Sequence, residues 1–595
     1  MCGVHLIIDK RNKINAQPIE NMLFNSRHRG PDAASFLEIN FQNNKIFIGN
    51  NRLKINDLSD NANMPFVSAD ENFIISFNGE IYNHQILRKQ LENKYIFKTT
   101  SDTETLLYWL IEKGEEGIKE LNGMFSFFFI DKIKKNIWVA RDKMGMKPLY
   151  LFQDNDFIIL SSEIKSILAT GLVEKKLNSS QIPQYLNYRF AKSPQTFFQN
   201  IINVENGILY EWKNQDFYKK NNFTTSVIDS EKSTNLDEIL YKTVQNYIHS
   251  DVNMGLFLSG GVDSTLLLAL MQQSGCKSIP CFTISNNNLT KDVQYARLAA
   301  KQYGGEYNEI NVDTNLLNNF QNFIEKVDQP LADSGGWLTY LLAEGAKEQR
   351  LKVMLSGAGA DEMFGGYKRH EAFKKYLIYH HFFKTNIKVL KKISIFFPKQ
   401  LRLVQKFIQQ IDPNDQQTFI NFTSLLPVFE KNIEINNIES LEDDLIKWAL
   451  KYDQDNYLVF DILKITDQLA MQSSVEVRLP FLDQNIINYT QNLNGNYILK
   501  HGKKWLLKKV LTNKGGDIFT KRKKEGLGIP FGNWLFEKPG KEILSTLQNP
   551  ASKVFEFVSF HNIQNIIKAH QLKKIDYTSE IYAIATLAIW LEIHF

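Results

Sequence analysis

The sequence predicts two unlike halves: a strand-rich first half, and an α/β second half built on a doubly wound parallel sheet with helical additions. Three observations predict this division. Alternating or wholly apolar runs at 4–8, 45–48, 73–77, 137–140 and 157–160 read as short strands. After Leu236 a helix-like stretch leads into regular alternation, with strands at 254–258, 279–284, 307–312 and 351–355 and helices from Thr265, at 292–303 and at 338–349, the order that builds a parallel sheet. From 203 to 232 the apolar pattern loses regularity and 219–226 is polar, which places the boundary there and gives domains 1–212 and 230–595.

Composition narrows the function classes. At 595 residues the chain exceeds what one hydrophobic core supports. Its 43% hydrophobic and 23% charged content is that of a globular protein, and a net charge of +5 over this length gives no reason to expect nucleic acid as a partner. No apolar run reaches bilayer length, and MCGVHLIIDK lacks the layout of a signal peptide. The expectation is a cytoplasmic protein without a membrane partner. Cys2, Cys276 and Cys281 form no C-x-x-C pair, so they build neither a disulfide framework nor a thiolate zinc site. Cys276 and Cys281, flanking the start of a strand, read as inert thiols.

Cys2 is a candidate nucleophile. If Met1 is removed, Cys2 gains a free α-amine that titrates near neutrality and can take the thiol's own proton. Six motifs follow in order: RHRGPD at 27–32, GNNRL at 49–53, FNGEIYN at 77–83, SDTE at 101–104, GMFSF at 123–127 and RDKMGMKPLY at 141–150. Together they resemble the class II glutamine amidotransferase domain, which implies the α+β N-terminal-nucleophile (αββα) fold, two antiparallel sheets between helices. Thiolate attack on a side-chain amide makes a tetrahedral oxyanion that needs fixed donors. The resemblance implies Asn78 and the Gly79 N–H as those donors, and glutamine held by Arg52 at its carboxylate and by Glu80 and Asp102 at its ammonium, with Asn78 also in contact. Plainer readings stand beside these: Asn78-Gly79 is a hairpin-turn signal, and Arg52 and Asp102 could be surface charges. His28 takes no catalytic role, and His5 reads as a packed strand residue.

The second half is organised around FLSGGVDS at 257–264, a Ser/Gly turn from a buried strand into a helix. Adjacent glycines let backbone approach a phosphate, and the first helical turn offers unpaired N–H groups. There is no Walker A lysine or spacing. The loop resembles the pyrophosphatase loop (PP-loop) of adenylating enzymes with a HUP-like fold, which implies phosphate contacts from Ser259, Gly260, Gly261 and Ser264 and Mg²⁺ on Asp263. LSGAGADEMFGGY at 355–367, SVEVRLPFLD at 474–483, KWLLK at 504–508 and RKKEGLGIP at 522–530 resemble signatures of the asparagine synthetases. Carried over residue by residue, Ser356 and Gly357 touch the nucleotide, Asp361 joins Asp263 on Mg²⁺, Lys504 neutralises departing pyrophosphate, and Leu258 and Ile284 line the adenine site.

Some positions depart from that pattern. Ala358 stands where a larger, often acidic residue is usual, Asp292-Val293 lacks a second acid, Gln468 replaces an arginine and Leu527 an aromatic. Alanine neither binds an ammonium group nor moves a proton. The segment 373–451 reads as helical and carries no functional motif. The resemblance implies a glutamine-hydrolysing, ATP- and Mg²⁺-dependent ligase that adenylates the aspartate side chain, releases pyrophosphate and forms asparagine, with homodimers frequent in the family. Ala358 keeps open the same chemistry on another carboxylate, such as a cell-envelope precursor, sugar acid or peptide.

Overall fold

The structure is a computed structural model that describes residues 2–223, 235–286, 291–397, 401–425, 444–522 and 528–595. Leu527 and Lys523–Lys524 of the basic run lie outside them, as do residues 224–229 of the expected linker; the preceding stretch is not linker, since Asp216–Asn222 forms a strand that pairs with Ile208–Lys213 and belongs to the first half. The first half contains β1 (Cys2–Asp9), β2 (Ala33–Phe41), β3 (Asn44–Arg52), β4 (Phe66–Val67), β5 (Phe73–Ile81), β6 (Gly123–Asp131), β7 (Asn136–Arg141), β8 (Tyr150–Gln153), β9 (Phe157–Ser161), β10 (Ile201–Asn203), β11 (Ile208–Lys213) and β12 (Asp216–Asn222). These make two six-stranded antiparallel sheets, ordered β10-β8-β9-β1-β3-β2 and β12-β11-β7-β6-β5-β4.

Strand alternation explains the layering. On β1, Val4, Leu6 and Ile8 face the core between the sheets, against Ile46, Ile48, Ile74, Phe128 and Val139. Ile7 and Phe47 point the other way, onto Ile19 and Met22 of the helix Gln17–Asn25. The outer face of the second sheet, with Phe77 and Phe127, is covered by Leu106, Leu107 and Trp109 of the helix Asp102–Lys113. The result is the expected αββα order.

The second half adds β13 (Met254–Phe257), β14 (Ile279–Ser285), β15 (Gly305–Asn311), β16 (Val353–Leu355) and β17 (Glu476–Arg478), all parallel, in the order β15-β14-β13-β16-β17. The strand that comes first in sequence is central. Connections therefore run one way from β13 to β14 and β15 and the other way to β16 and β17, and the carboxyl ends of β13 and β16 frame a crevice at this reversal. The edge strand β17 was not expected. Within the described part of 373–451 the structure is helical, as its sequence reads, through His380–Ser394, Arg402–Gln410, Asp415–Thr423 and Leu445–Asp453.

One core spans the boundary. The last helix, Thr578–His594, is apolar on nearly all sides and lies against the first half: the Tyr185 hydroxyl donates to the Ala583 carbonyl at 2.9 Å, and Trp590 packs edge-on to Phe197 and Phe198. Tyr82 and Tyr247 stack across the same boundary with centroids 3.6 Å apart. Among the described residues no helix is long and apolar enough to cross a membrane.

Candidate active sites

Cys2 begins β1, directly opposite Arg52 on β3, so the sheet register sets the candidate nucleophile beside the GNNRL motif. The Cys2 N–H donates to Asn78 Oδ1 at 2.9 Å. Asn78 Nδ2 is buried and has no hydrogen-bond partner among the described residues. An unsatisfied buried amide donor is costly unless something else engages it, and here it points to a developing negative charge. Asn78 and Gly79 lie in the middle of β5, opposite Ser126 and Phe125, and form no turn. A Cβ at Gly79 would fall 2.0 Å from the Met124 carbonyl, so only glycine fits. Phe125 has its N–H and its carbonyl engaged by Asp142, and β4 covers only Ile74 and Ile75, which leaves the Gly79 edge of β5 without a strand neighbour on that side. Burial pushes the Cys2 thiol up, while the Leu53 N–H and the Arg52 cation oppose it.

The three charged residues expected to bind glutamine converge here with Asn78, in more committed roles than free charges. Arg52 holds the loop after β3: Nη1 donates to the Ser59 carbonyl at 2.7 Å and to Asn63 Oδ1 at 2.9 Å, and Nη2 to the carbonyls of Asn56 and Asp57. Glu80 accepts from Asn56 Nδ2 at 2.6 Å and from Arg478 Nη2 at 3.2 Å. Asp102, in the first turn of its helix, accepts from the Ile81 N–H at 3.0 Å. Burial raises both carboxyls, Glu80 to about 8. All three are buried, which removes the surface-charge alternative. His5 is buried among Ser161, Asn51 and Ser26, as a packed residue should be.

The crevice of the second sheet holds a cavity of about 920 Å³ lined by Leu258, Ser259, Gly261, Asp263, Ser264, Ile284, Ser356, Gly357, Asp361 and Lys504 among others. Ser259 through Ser264 fold on themselves: the Ser259 N–H donates to Ser264 Oγ and the Gly261 N–H to Ser259 Oγ, at 3.2 and 3.3 Å. Gly260 has φ +65°, and a Cβ there would meet the Ala296 nitrogen at 2.4 Å. Lys504 Nζ lies 2.6 Å from both Asp263 Oδ2 and Asp361 Oδ1, and these carboxylates raise its pKa despite its burial. Asp263 Oδ1 is buried with no partner among the described residues. Two carboxylates on one wall, one with an uncommitted oxygen, fit a hard divalent cation that shares phosphate oxygens. No group of three or more potential metal ligands occurs among the described residues, so such an ion would take its other ligands from phosphate and water.

Comparison with known proteins gives the family. Residues 235–592 match the family model "Asparagine synthase", and residues 1–223 match "Glutamine amidotransferase domain". The chain belongs to the asparagine synthase family. It is 27% identical, over 100% of its own length and 97% of the relative's, to asparagine synthetase [glutamine-hydrolyzing] 1 of Bacillus subtilis. It is also 31% identical to putative asparagine synthetase [glutamine-hydrolyzing] 2 of Methanocaldococcus jannaschii, over 62% of this chain and 76% of that one.

Several residues of this asparagine synthase family member were not singled out by sequence. Arg29 Nε donates to the Cys2 carbonyl at 3.0 Å, Nη1 reaches Glu163, and Nη2 reaches Asp467 of the second half at 2.8 Å. Lys147 joins Asp467 at 3.3 Å. Arg478, quoted only as part of a motif, ties Glu476 to Glu80. Arg522 pairs with Asp292 at 2.8 Å, and its Nη1 is buried without a partner among the described residues, beside the cavity that holds the Ser/Gly loop. A charge of opposite sign on a distant segment leaves no local spacing to read. Ala358 lines the same large cavity. Gln468 lines a second, smaller one of about 30 Å³ between the halves, with Arg29, Met146, Lys464 and Asp467, and neither of its amide atoms has a partner among the described residues. Burial raises the thiols of Cys276 and Cys281, the latter to about 12, in keeping with inert side chains.

Proposed function

We infer that this asparagine synthase family member is a glutamine-dependent asparagine synthetase that works through two half-reactions at the two sites. The reading is carried above all by one observation: a single chain holds both a Cys2–Asn78 pair whose amide donor awaits an acceptor and a Lys504 cation between two carboxylates at the sheet reversal.

At the first site the Cys2 thiolate attacks the glutamine amide carbon, with the α-amine exposed by loss of Met1 holding the thiol proton. Asn78 Nδ2 and the Gly79 N–H receive the oxyanion, ammonia leaves, and water hydrolyses the thioester. Fixed donors of this kind lower the barrier by about 3–4 kcal/mol each. Arg52, Glu80 and Asp102 shape the glutamine pocket. Since their charges are tied to protein partners, selectivity there comes from a prearranged wall rather than from free ions.

At the second site the aspartate side-chain carboxylate attacks the α-phosphorus of ATP. Pyrophosphate leaves toward the Ser259–Ser264 loop, Lys504 and Arg522, and ammonia displaces AMP from the adenylate. Asp263 and Asp361 would hold Mg²⁺, which supplies positive charge against the phosphates when bound. Leu258 and Ile284 receive the adenine. The interdomain cavity beside Arg29 and Gln468 is where ammonia would cross out of reach of bulk water. The boundary after β12 separates the two half-reactions, the ATP-dependent step belongs in the cytoplasm, and a homodimer is part of this reading.

The test is release of AMP and pyrophosphate from Mg-ATP and glutamine with and without L-aspartate, beside a Cys2→Ala variant supplied with ammonium. Asparagine formed one-for-one with AMP, and only with aspartate present, is the expected result. Glutamine hydrolysis without aspartate-dependent pyrophosphate would leave the two sites standing and move the acceptor to another carboxylate, as Ala358 allows.

A further inference from the structure

The helices His380–Ser394 and Arg402–Gln410 form a surface feature that neither half-reaction uses. They pack on each other, with Gln409 Nε2 donating to the Lys391 carbonyl and to Ser394 Oγ, both at 2.8 Å. Of the twenty-one exposed large hydrophobic residues among those described, ten fall between 378 and 404. Phe396 is 86% exposed and Leu403 83%, more than a folded surface asks of side chains this large. They are not scattered. Phe382, Val389 and Ile393 are spaced seven and four apart, which puts them within an arc of about 40° on one face of the helix His380–Ser394, and Phe396 follows in the turn after it. Ile387 and Ser394, on a different face, are the buried ones.

The charge of the same segment is as uneven. Residues 372–411 contain nine Lys and Arg and no Asp or Glu, although the whole chain is only +5, so the remainder is net acidic. Lys388, Lys392, Arg402 and Lys406 are exposed alongside the apolar stripe.

We propose that this hairpin is a membrane-docking surface, in which Phe382, Val389, Ile393, Phe396 and Leu403 enter the headgroup–acyl boundary of an anionic bilayer and the flanking lysines bind its phosphates. The pattern is that of a helix lying in the plane of an interface: apolar on one side and cationic on the flank. The absence of a bilayer-length helix does not bear on such a mode. A nucleic acid would use the cations and could stack on Phe382 and Phe396, but would leave Val389, Ile393 and Leu403 in water. A second copy meeting through this same face would set Lys388, Lys392, Arg402 and Lys406 against their own copies.

The test uses the full-length protein in vesicle cosedimentation, with phosphatidylcholine alone and with about 30% phosphatidylglycerol, at low and high salt. The expected result is about tenfold stronger binding to the anionic vesicles, weakened by salt. Phe396→Glu with Leu403→Glu should abolish it, and Lys388→Glu with Lys392→Glu should abolish the preference for anionic lipid. Because these side chains are exposed, glutamine hydrolysis in all variants should match the parent, which shows that the fold is intact. Equal binding by the parent and the Phe396→Glu/Leu403→Glu variant, or no vesicle binding at all, would overturn the proposal. Self-association or capture of an acidic protein lost in the same variant, without vesicle binding, would assign the face to that partner instead.

Discussion

Arg29 and Asp467 meet at 2.8 Å across the boundary between the two halves, both almost fully buried, with the other side of the Arg29 guanidinium on the carbonyl of Cys2. The strand that carries Cys2 is thus held by a charge that belongs to the second half. Asp467 lies on the helix Leu463–Met471, whose residues Ile465 and Thr466 line the large cavity while Asp467 and Gln468 line the small one. A shift of that helix on nucleotide binding would be felt at Cys2.

Asp467→Asn should therefore both destabilise and uncouple. Removing one partner of a buried pair costs about 3–5 kcal/mol, because the other charge is left without compensation. The expected outcome is a lower midpoint in thermal unfolding and more glutamine hydrolysed per AMP released. A variant that loses stability yet keeps the parent ratio of glutamine to AMP would show that the contact is structural alone.

Asn78→Ala should reduce glutamine-dependent synthesis by about 10²–10³. Synthesis supplied with ammonium should stay near the parent rate, since the second site is untouched. Steady-state assays with the two nitrogen donors check this, and an equal fall with both would mean that the substitution disturbs more than the oxyanion donor.

Gly366→Ala probes the second site through shape. A Cβ there would lie 1.8 Å from Asp361 Oδ1 and 2.2 Å from Lys504 Cε, so the carboxylate and the ammonium must both move. Aspartate-dependent pyrophosphate release should fall by at least about tenfold, the effect of roughly 1.4 kcal/mol, while glutamine hydrolysis remains. Unchanged pyrophosphate release would place the working geometry of Asp361 and Lys504 elsewhere.

Acid should loosen the first half through His5. Burial lowers its imidazole to about 4, so the native state keeps it neutral where the unfolded chain, with a pKa near 6.5, already takes up a proton. Stability is fully present above about 6.5 and is lost as pH falls toward 4, by on the order of 3 kcal/mol. Denaturant unfolding of the parent and of His5→Gln between those pH values should show a slope that the variant lacks. The same slope in both would trace the acid sensitivity to other groups.

The sequence by itself determined the pieces that are local in the chain. Cys2 at the start of a strand, Asn78-Gly79 inside a motif, and the Ser259–Ser264 turn between strand and helix each owe their chemistry to neighbours a few residues away, and the near-continuous apolar run of β1 and the strand–helix alternation of the second half record which faces are buried. Only the tertiary structure decided what those pieces meet. Lys504 finds Asp263 from 241 residues away, and Arg478 finds Glu80 across 398. Arg52 spends its guanidinium on loop carbonyls, and the edge strand β17 is too short to show a period. Periodicity reports how a segment meets the core as a whole. A buried ion pair depends on the positions of two side chains brought together by the packing of everything between them, and no spacing along the chain encodes that.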